Sequence, residues 1–200
     1  MQDINGIVQG VIWKGGSAYL SAVSDAGVLE LLPLLGSRLG YEVLDDNRYC
    51  TGYSKFSADG SGELRSCRGG SVATAGGRCD ACNDLDESRY LHAFHRGGWI
   101  PDGVRAYLAQ QHWLYVATFS DGSSKVGTAS DVRKFDRLAE QGAVVATFVA
   151  TCADGRAIRL VEDQVARNAS IPQGVRATIK AEAWADPLPR DSISLSNRSA

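Results

Sequence analysis

A chain of 200 residues with 44% hydrophobic and 22% charged side chains has the composition of an ordinary globular protein. This length allows one large domain or two small ones. The formal net charge of −2 excludes a surface covered in positive potential. No apolar run approaches the roughly 18 residues of a membrane span. The first residues also lack the basic and apolar regions of a signal peptide, so a cytoplasmic location with no membrane partner is expected.

The first 48 residues are predicted to be β-rich. Residues 6–13 and 18–23 mix apolar with small side chains and are separated by a Lys-Gly-Gly turn signal. Residues 28–35 are a dense apolar run that fits either a strand or a buried helix, although Pro33 weakens both interpretations. The sequence therefore predicts two strands joined by a turn, followed by an apolar element that is either a strand or a buried helix.

Residues 48–85 are rich in Gly, Ser and Asp and poor in large apolar side chains, so hydrophobic burial alone cannot fold them. This module holds four of the five cysteines, with the spacing C-x16-C-x11-C-x2-C: Cys50, Cys67, Cys79 and Cys82. Clustered cysteines in a cytosolic protein favour metal ligation over disulfides. Four thiolates complete a tetrahedron around one ion and leave no open position, which predicts a zinc-ribbon-like, structural Zn²⁺ site.

Alternatives to this zinc site stay open. Four cysteine ligands also permit an iron–sulfur centre, although nothing else in the sequence indicates redox chemistry. Cys79 and Cys82 could instead be a redox pair with two bystanders, but such pairs usually open a helix and this one follows loop-like sequence. His92 and His95 are spare ligands, or ordinary surface or half-buried histidines. Cys152, after an apolar run, is interpreted as a small core residue.

From His112 onward the pattern predicts a β-hairpin. Residues 113–119 are rich in aromatic and β-branched side chains, and residues 120–123 have Asp-Gly at the centre of a turn. The returning strand begins at Ser124. A helix is predicted next, with Ser130 as its N-cap and a glycine as its stop. The residues expected on its core face are Val132, Phe135, Leu138 and Ala139.

Two further elements complete the predicted C-terminal fold. Residues 144–149 are a short buried strand, and a second helix opens at Asp154 or the following glycine and ends before Ile171. Its expected core stripe repeats every four residues: Ala157, Val161 and Val165. The fold class is therefore α+β, with a β-rich region that includes the cysteine module, a small α/β domain and a flexible tail. The expected bounds are residues 1–105, 106–184 and 185–200.

Two short motifs in the hairpin resemble those of GIY-YIG nucleases. Leu114-Tyr115-Val116 and Lys125-Val126-Gly127 stand where that family has Gly-Ile-Tyr and Tyr-Ile-Gly on paired strands. Residues 137–141, Arg-Leu-Ala-Glu-Gln, resemble the family's Arg-Leu-x-x-His with Gln in place of His. Glu162 resembles its metal-binding Glu. The resemblance covers about 55 residues, and a bacterial family of uncharacterised function, which pairs a cysteine-rich module with a degenerate GIY-YIG-like domain, is more similar still.

The resemblance implies a role for each matched position. Glu162 would hold Mg²⁺ or Mn²⁺ at the scissile phosphate, and Arg137 would clamp phosphate oxygens with two hydrogen bonds. Tyr115 would help remove a proton from the attacking water. Lys125 replaces the Tyr of the second motif, where it acts either as a base or as a phosphate contact. Two further residues are expected to bind substrate in the same cleft: His112 and Gln141.

Three functions follow from these patterns. The first is a metal-dependent phosphodiester hydrolase acting on DNA or RNA, and the second is a non-catalytic nucleic-acid-binding or RNA-binding zinc protein. The third is an enzyme of another class that uses the scaffold on a nucleotide, phosphorylated or aminoacyl-tRNA-like substrate. Residues 124–180 carry nine Lys/Arg and six Asp/Glu. This local excess fits a modest phosphate-contacting face, and equally fits ordinary solvated helices.

Overall fold

The structure is a computed structural model that describes residues 4–94 and 97–200. The chain divides into two compact α+β units with small antiparallel sheets. Unit 1 comprises Met1–Phe94 and Gly98–Ala106, and unit 2 comprises His95–Gly97 and Tyr107–Ala200. Across the described residues, no helix combines the length and apolar character needed to span a membrane.

Unit 1 begins with a three-stranded antiparallel sheet, in the order β1-β2-β3. Its strands are β1 (Gly6–Lys14), β2 (Ser17–Ser24) and β3 (Leu29–Pro33). The predicted turn between the first two strands is confirmed: Gly15 and Gly16 both have positive φ, a conformation that glycine adopts at no steric cost. The apolar run, for which the sequence allowed a strand or a buried helix, is a strand that ends at Pro33.

The cysteine module of unit 1 consists of a short hairpin and one short helix. The hairpin pairs β4 (Tyr53–Phe56) with β5 (Gly62–Arg65), and the helix is α1 (Asp80–Leu85). Two more short helices follow the module along the chain: α2 (Tyr90–Ala93) and α3 (Asp102–Leu108). These elements are too short to bury much apolar surface, as the composition of the segment predicts.

Unit 2 is built on a second antiparallel sheet, in the order β7-β6-β8. The strands are β6 (His112–Thr118), β7 (Ser124–Ser130) and β8 (Val145–Cys152). α4 (Lys134–Glu140) connects β7 to β8, and α5 (Gly155–Asn168) follows β8. The predicted order of hairpin, helix, strand and helix is therefore confirmed. Two more helices end the chain: α6 (Ala177–Ala183) and α7 (Arg190–Ser199).

The two faces of this sheet are covered by different helices. On one face, Leu114 and Val126 pack with Ile158 of α5 and with Ile171, and Cys152 packs against this cluster as predicted. The other face has a cluster built around a buried tyrosine, in contact with Leu138 of α4: Tyr115, Ala117 and Ala129. We call these the α5 face and the α4 face.

The predicted core stripes of α4 and α5 are confirmed only in part: Leu138 and Val165 pack against the core, whereas Val132, Phe135 and Val161 are exposed. Val132 and Phe135 are exposed, because the segment opens with a 3-10 turn at Asp131–Arg133 and this turn shifts the helical phase. The side chain of Ser130 makes no capping hydrogen bond. In α5 the most buried residues are not the predicted stripe but a neighbouring one that includes a carboxylate: Gly155, Ile158 and Glu162.

Two further predictions for unit 2 are also wrong. β8 is only half-buried along its length, and its Val149 is exposed. The stretch after Pro187, predicted to lack a pattern, forms α7. Asn197 of α7 is buried and donates hydrogen bonds to the Val116 carbonyl (3.1 Å) and Thr118 Oγ1 (3.0 Å). A buried polar anchor of this kind leaves little hydrophobic signal in the sequence.

Candidate metal centre and cationic site

The four cysteines of unit 1 lie together. Their sulfur atoms are all within 4.8 Å of one another, and Cys67 Sγ is 3.9 Å from Cys79 Sγ. Cys50 precedes β4 and Cys67 follows β5, so the hairpin supplies two sulfurs. Cys79 is the N-cap of α1 and Cys82 lies in its first turn, so the helix supplies the other two. All four cysteines are free, and together they can hold one metal ion.

Backbone N–H groups point at these sulfurs. The Gly52 N–H donates to Cys50 Sγ at 3.4 Å. Burial raises the pKa of the Cys67 thiol, but hydrogen bonds from the Ser71 and Gly69 backbone outweigh it and lower that pKa to about 6. Burial and the neighbouring cysteine side chains raise the pKa of Cys82. N–H groups around sulfur favour the thiolate form, which is the form that binds a metal.

The sulfurs also take the place of a hydrophobic core. In the described part of the module, the buried cluster at this point consists of Cys50, Cys79 and Cys82, with Cys67 and Tyr53 packed against it. The structure places the Cys-x-x-Cys pair at the start of a helix, contrary to the loop expected from sequence. If Cys79 and Cys82 were only a redox pair, the adjacent sulfurs of Cys50 and Cys67 would have no role. The side chain of His92 and all of His95 lie outside the described residues.

Two buried carboxylates, which sequence reasoning missed, stabilise the structure around this site. Asp86 accepts the Ser54 N–H at 2.8 Å and pairs with Arg78 at 3.2 Å. Glu87 accepts the Phe56 N–H at 2.8 Å and also pairs with a lysine of β4. Both carboxylates therefore tie the hairpin to the end of α1 through hydrogen bonds from its backbone. Their only sequence signal is an acidic pair after a helix, which is common on surfaces.

In unit 2, Tyr115 is the centre of a polar cluster on the α4 face. Its side chain is 1% exposed, and its hydroxyl accepts a hydrogen bond from Gln141 Nε2 at 2.8 Å. Burial raises the pKa of Tyr115, while Gln141 and Arg137 lower it. Gly127 lies directly opposite on β7, where a Cβ would come within 2.5 Å of the Tyr115 hydroxyl oxygen. Glycine at position 127 therefore leaves the space that the Tyr115 side chain occupies.

Lys125 lies beside Tyr115 on the same face. The residue is 9% exposed, and its Nζ is 5.8 Å from the centroid of the tyrosine ring. Burial lowers the pKa of Lys125 to about 8; the charges of Arg137, Lys180 and Arg159 act in the same direction, and Glu162 opposes them. A buried amine with cationic neighbours is poised to receive an anion.

Two more cations complete this group. Arg137 of α4 has a half-exposed side chain (49%) and pairs with Glu140 at 3.6 Å. Lys180 of α6, which sequence reasoning missed, donates to the Gln141 carbonyl at 2.8 Å. Burial and the charge of Arg137 lower the pKa of Lys180. We call Lys125, Arg137 and Lys180, together with Tyr115 and Gln141, the cationic site.

Glu162 belongs to a different set of contacts. It is 2% exposed, pairs with Arg159 at 2.5 Å and accepts a hydrogen bond from Thr128 Oγ1 at 3.3 Å. Thr128 lies opposite Leu114, which puts this pair on the α5 face. Glu162 therefore reaches Lys125 through its charge and not through a contact. Arg137 and Glu162 do not pair with each other, since each has a nearer partner.

His112 also lies away from the cationic site. Its side chain alternates with that of Tyr115 along β6, and its Nδ1 is hydrogen-bonded with the Gln110 carbonyl at 2.8 Å. Its Nε2 is buried and has no hydrogen-bond partner among the described residues, and burial lowers the pKa of this histidine. The structure thus brings Tyr115, Lys125, Arg137 and Gln141 together. Glu162 and His112 do not belong to this group, because their hydrogen bonds and ion pairs are with other residues.

These units define a mixed α+β protein with a four-cysteine cluster able to hold a metal ion and a separate cationic site. Comparison of the chain with protein families, with curated proteins and with solved structures found no match.

Proposed function

We propose that unit 2 binds the phosphate backbone of nucleic acid at the cationic site, and that the four cysteines of unit 1 hold a structural zinc ion. The observation that carries the first proposal is the group of three cations around one buried tyrosine: Lys125, Arg137 and Lys180. Like charges held this close repel one another, and a phosphate group relieves the repulsion. Arg137 supplies the half-exposed entrance to the site.

The resemblance to GIY-YIG nucleases supports nucleic acid as the ligand class. Tyr115, Lys125 and Arg137 occupy the positions matched to that family's two motifs and its arginine, and they share the α4 face. The order of hairpin, helix, strand and helix is also the order expected of that scaffold. Since the buried Glu162 is held by Arg159 and Thr128, phosphate binding is better supported than metal-dependent cutting.

Zinc is proposed for the cysteine cluster because four thiolates within reach of one ion suit its tetrahedral geometry. The N–H donors at Cys50 and Cys67 stabilise sulfur in the ligating form. Such a site leaves no open coordination position, so its role is to fold the module and not to activate a substrate.

Removing the entrance cation should weaken binding. In the full chain, Arg137→Ala should lower the affinity for a fluorescein-labelled oligonucleotide about tenfold, because a guanidinium that binds phosphate with two hydrogen bonds contributes on this scale. The slope of log K against log salt should also fall by about one. Fluorescence anisotropy at several NaCl concentrations measures both. The matched control is Arg198→Ala, which removes the same charge from an exposed position of α7; equal losses in the two variants would contradict the proposal.

Binding should also depend on the protonation of Lys125. Its pKa of about 8 means that the amine is mostly charged at pH 7 and mostly neutral at pH 9. Because the charged form attracts phosphate, affinity should fall about fivefold as pH rises across this window, the effect of losing roughly 1 kcal/mol of ion pairing. Lys125→Met should bind less tightly at pH 7 and show a flat profile, which separates its titration from that of Lys180. An unchanged slope in this variant would refute the assignment.

A second candidate function is phosphodiester hydrolysis at the same site. One observation favours it: Lys125 has a pKa close to neutrality and lies against Tyr115, so it can accept a proton from an attacking water. Cleavage of a labelled strand in the presence of Mg²⁺ or Mn²⁺ that disappears in Lys125→Met would establish it. Cleavage that survives in both Lys125→Met and Glu162→Ala would indicate a contaminating nuclease.

A further inference from the structure

The most buried cation of the cationic site has no partner. Lys125 is 9% exposed, and within the described residues its amine makes no hydrogen bond and no ion pair. Its Nζ is 5.8 Å from the centroid of the Tyr115 ring, and the charged groups around it act on it from a distance. A buried charge is normally paired, because its removal from water is costly. An anionic ligand would supply the missing partner.

The buried hydroxyl beside this amine also lacks an acceptor. Gln141 Nε2 donates to the Tyr115 oxygen at 2.8 Å, and Arg137, which also lowers the pKa of this tyrosine, carries only N–H donors. Among the described residues, no group accepts the hydrogen of this hydroxyl. Tyr115 and Lys125 share the α4 face, since they lie on neighbouring strands opposite Gly127 and Ala117. Two buried donors on one face of the sheet are therefore available to the same ligand.

Elements on three sides hold these donors. Lys125 and Tyr115 lie on the sheet, and Arg137 and Gln141 are four residues apart along the chain, which puts them on one side of α4. Lys180 of α6 donates to the Gln141 carbonyl at 2.8 Å. The side chain of Arg137 is 49% exposed, so the site runs from a half-exposed guanidinium to a nearly buried amine.

This gradient of burial suits one kind of phosphate. An internal phosphate of a nucleic acid carries a sugar on each side, so both nucleotides would have to follow it toward Lys125. A terminal phosphate is attached through a single ester bond and presents three oxygens ahead of the strand. Near neutral pH it also carries close to two negative charges, whereas an internal phosphate carries one. It therefore neutralises more of the charge of Lys125, Arg137 and Lys180.

We propose that the cationic site binds the terminal phosphate of a nucleic-acid strand, with Lys125 and the Tyr115 hydroxyl donating to its oxygens and Arg137 at the entrance. This inference rests on the proposed phosphate binding and adds which phosphate is bound. Hydrogen bonds between ionised groups are about twice as strong as neutral ones, so the terminal group contributes affinity beyond that of the backbone. A 5′-phosphate and a 3′-phosphate share this chemistry, and the experiment distinguishes them.

The test compares strand ends in the full chain at pH 7 and one salt concentration. A 12-nucleotide dT strand with fluorescein on a central base is prepared with a 5′-phosphate, with a 3′-phosphate, and with hydroxyls at both ends. Fluorescence anisotropy should show at least about tenfold tighter binding of one phosphorylated strand than of the strand without a terminal phosphate. In Lys125→Met this ratio should fall to about one. Arg198→Ala, which removes an exposed charge of α7, should keep the native ratio.

The outcomes separate this inference from the proposed function. Equal affinity for the three strands, with Arg137→Ala weakening each, would overturn binding of the terminal phosphate while binding of the backbone stands. Binding of none of the strands would overturn both proposals. A native ratio in Lys125→Met would overturn the inference, since the preference would then arise elsewhere. If circular dichroism shows that Lys125→Met is unfolded, Lys180→Met on the half-buried side of α6 replaces it: a lower ratio supports the inference, and an unchanged ratio overturns it.

Discussion

Removal of the metal from the purified chain should unfold the cysteine module. We expect about one zinc ion per chain, and Cys82→Ser should abolish this stoichiometry and the near-ultraviolet circular dichroism of unit 1. The reason is that the buried cluster of the module consists of the sulfurs themselves with Tyr53. Structural zinc sites contribute on the order of 10 kcal/mol of apparent binding free energy, far more than these short elements can replace. Elemental analysis and thermal unfolding, with and without a chelator, measure the effect.

The chain supplies its own control for this experiment. Cys152 is the one cysteine outside the cluster, so Cys152→Ser removes the same functional group without removing a proposed ligand. This variant should keep the full zinc content. The proposal of a structural zinc site would be contradicted if the metal-free chain melted at the same temperature as the native protein. Equal loss of metal from Cys82→Ser and Cys152→Ser would also contradict it.

The cysteine cluster could be predicted from sequence because its signal is chemical and local. Four cysteines within a stretch that lacks apolar side chains leave few other ways to fold it. The hairpin of unit 2 could equally be predicted from the sequence, because its Asp-Gly turn and its β-branched strands indicate the same register. The N-terminus of α5 also followed from a local rule: Asp154 accepts the Arg156 N–H at 2.7 Å.

Helix faces were harder to predict because a small change in phase reassigns every residue. The 3-10 turn before α4 turned Phe135 from an expected core residue into an exposed one. In α5 the buried stripe includes Glu162, whose charge is neutralised by Arg159 one turn earlier. Hydrophobic periodicity cannot reveal a buried ion pair, since it treats every carboxylate as solvent-facing.

The composition of the cationic site was predictable only in part, for a related reason. Tyr115, Lys125, Arg137 and Gln141 lie on elements that the hairpin and the first helix position. Lys180 comes from α6, whose packing against the end of α4 depends on tertiary contacts. His112 is not part of the cationic site, because side chains alternate between the two faces of the sheet along β6 and those of His112 and Tyr115 lie on opposite faces.

Gly127→Ala should destabilise unit 2 by about 2 kcal/mol and weaken oligonucleotide binding. A Cβ at this position would lie 2.5 Å from the Tyr115 hydroxyl oxygen and 2.6 Å from Cζ, well inside van der Waals contact. Tyr115 cannot swing away, because it is 1% exposed and packs edge-to-face on Phe148. Overpacking in such a site typically costs about 1–3 kcal/mol. Urea denaturation followed by far-ultraviolet circular dichroism measures the loss.

Two comparisons make this result specific to the contact with the tyrosine. Gly174→Ala adds the same methyl group at a position where, apart from its chain neighbours, no atom of the described residues lies within 4 Å, so it should leave stability and binding unchanged. In a Tyr115→Leu background the clashing ring atoms are absent, so Gly127→Ala should then cost little more than the background alone. If the alanine costs the same in both backgrounds, the glycine serves the strand backbone and not the tyrosine. The close approach of Gly127 to Tyr115 would then be no part of how the cationic site is built.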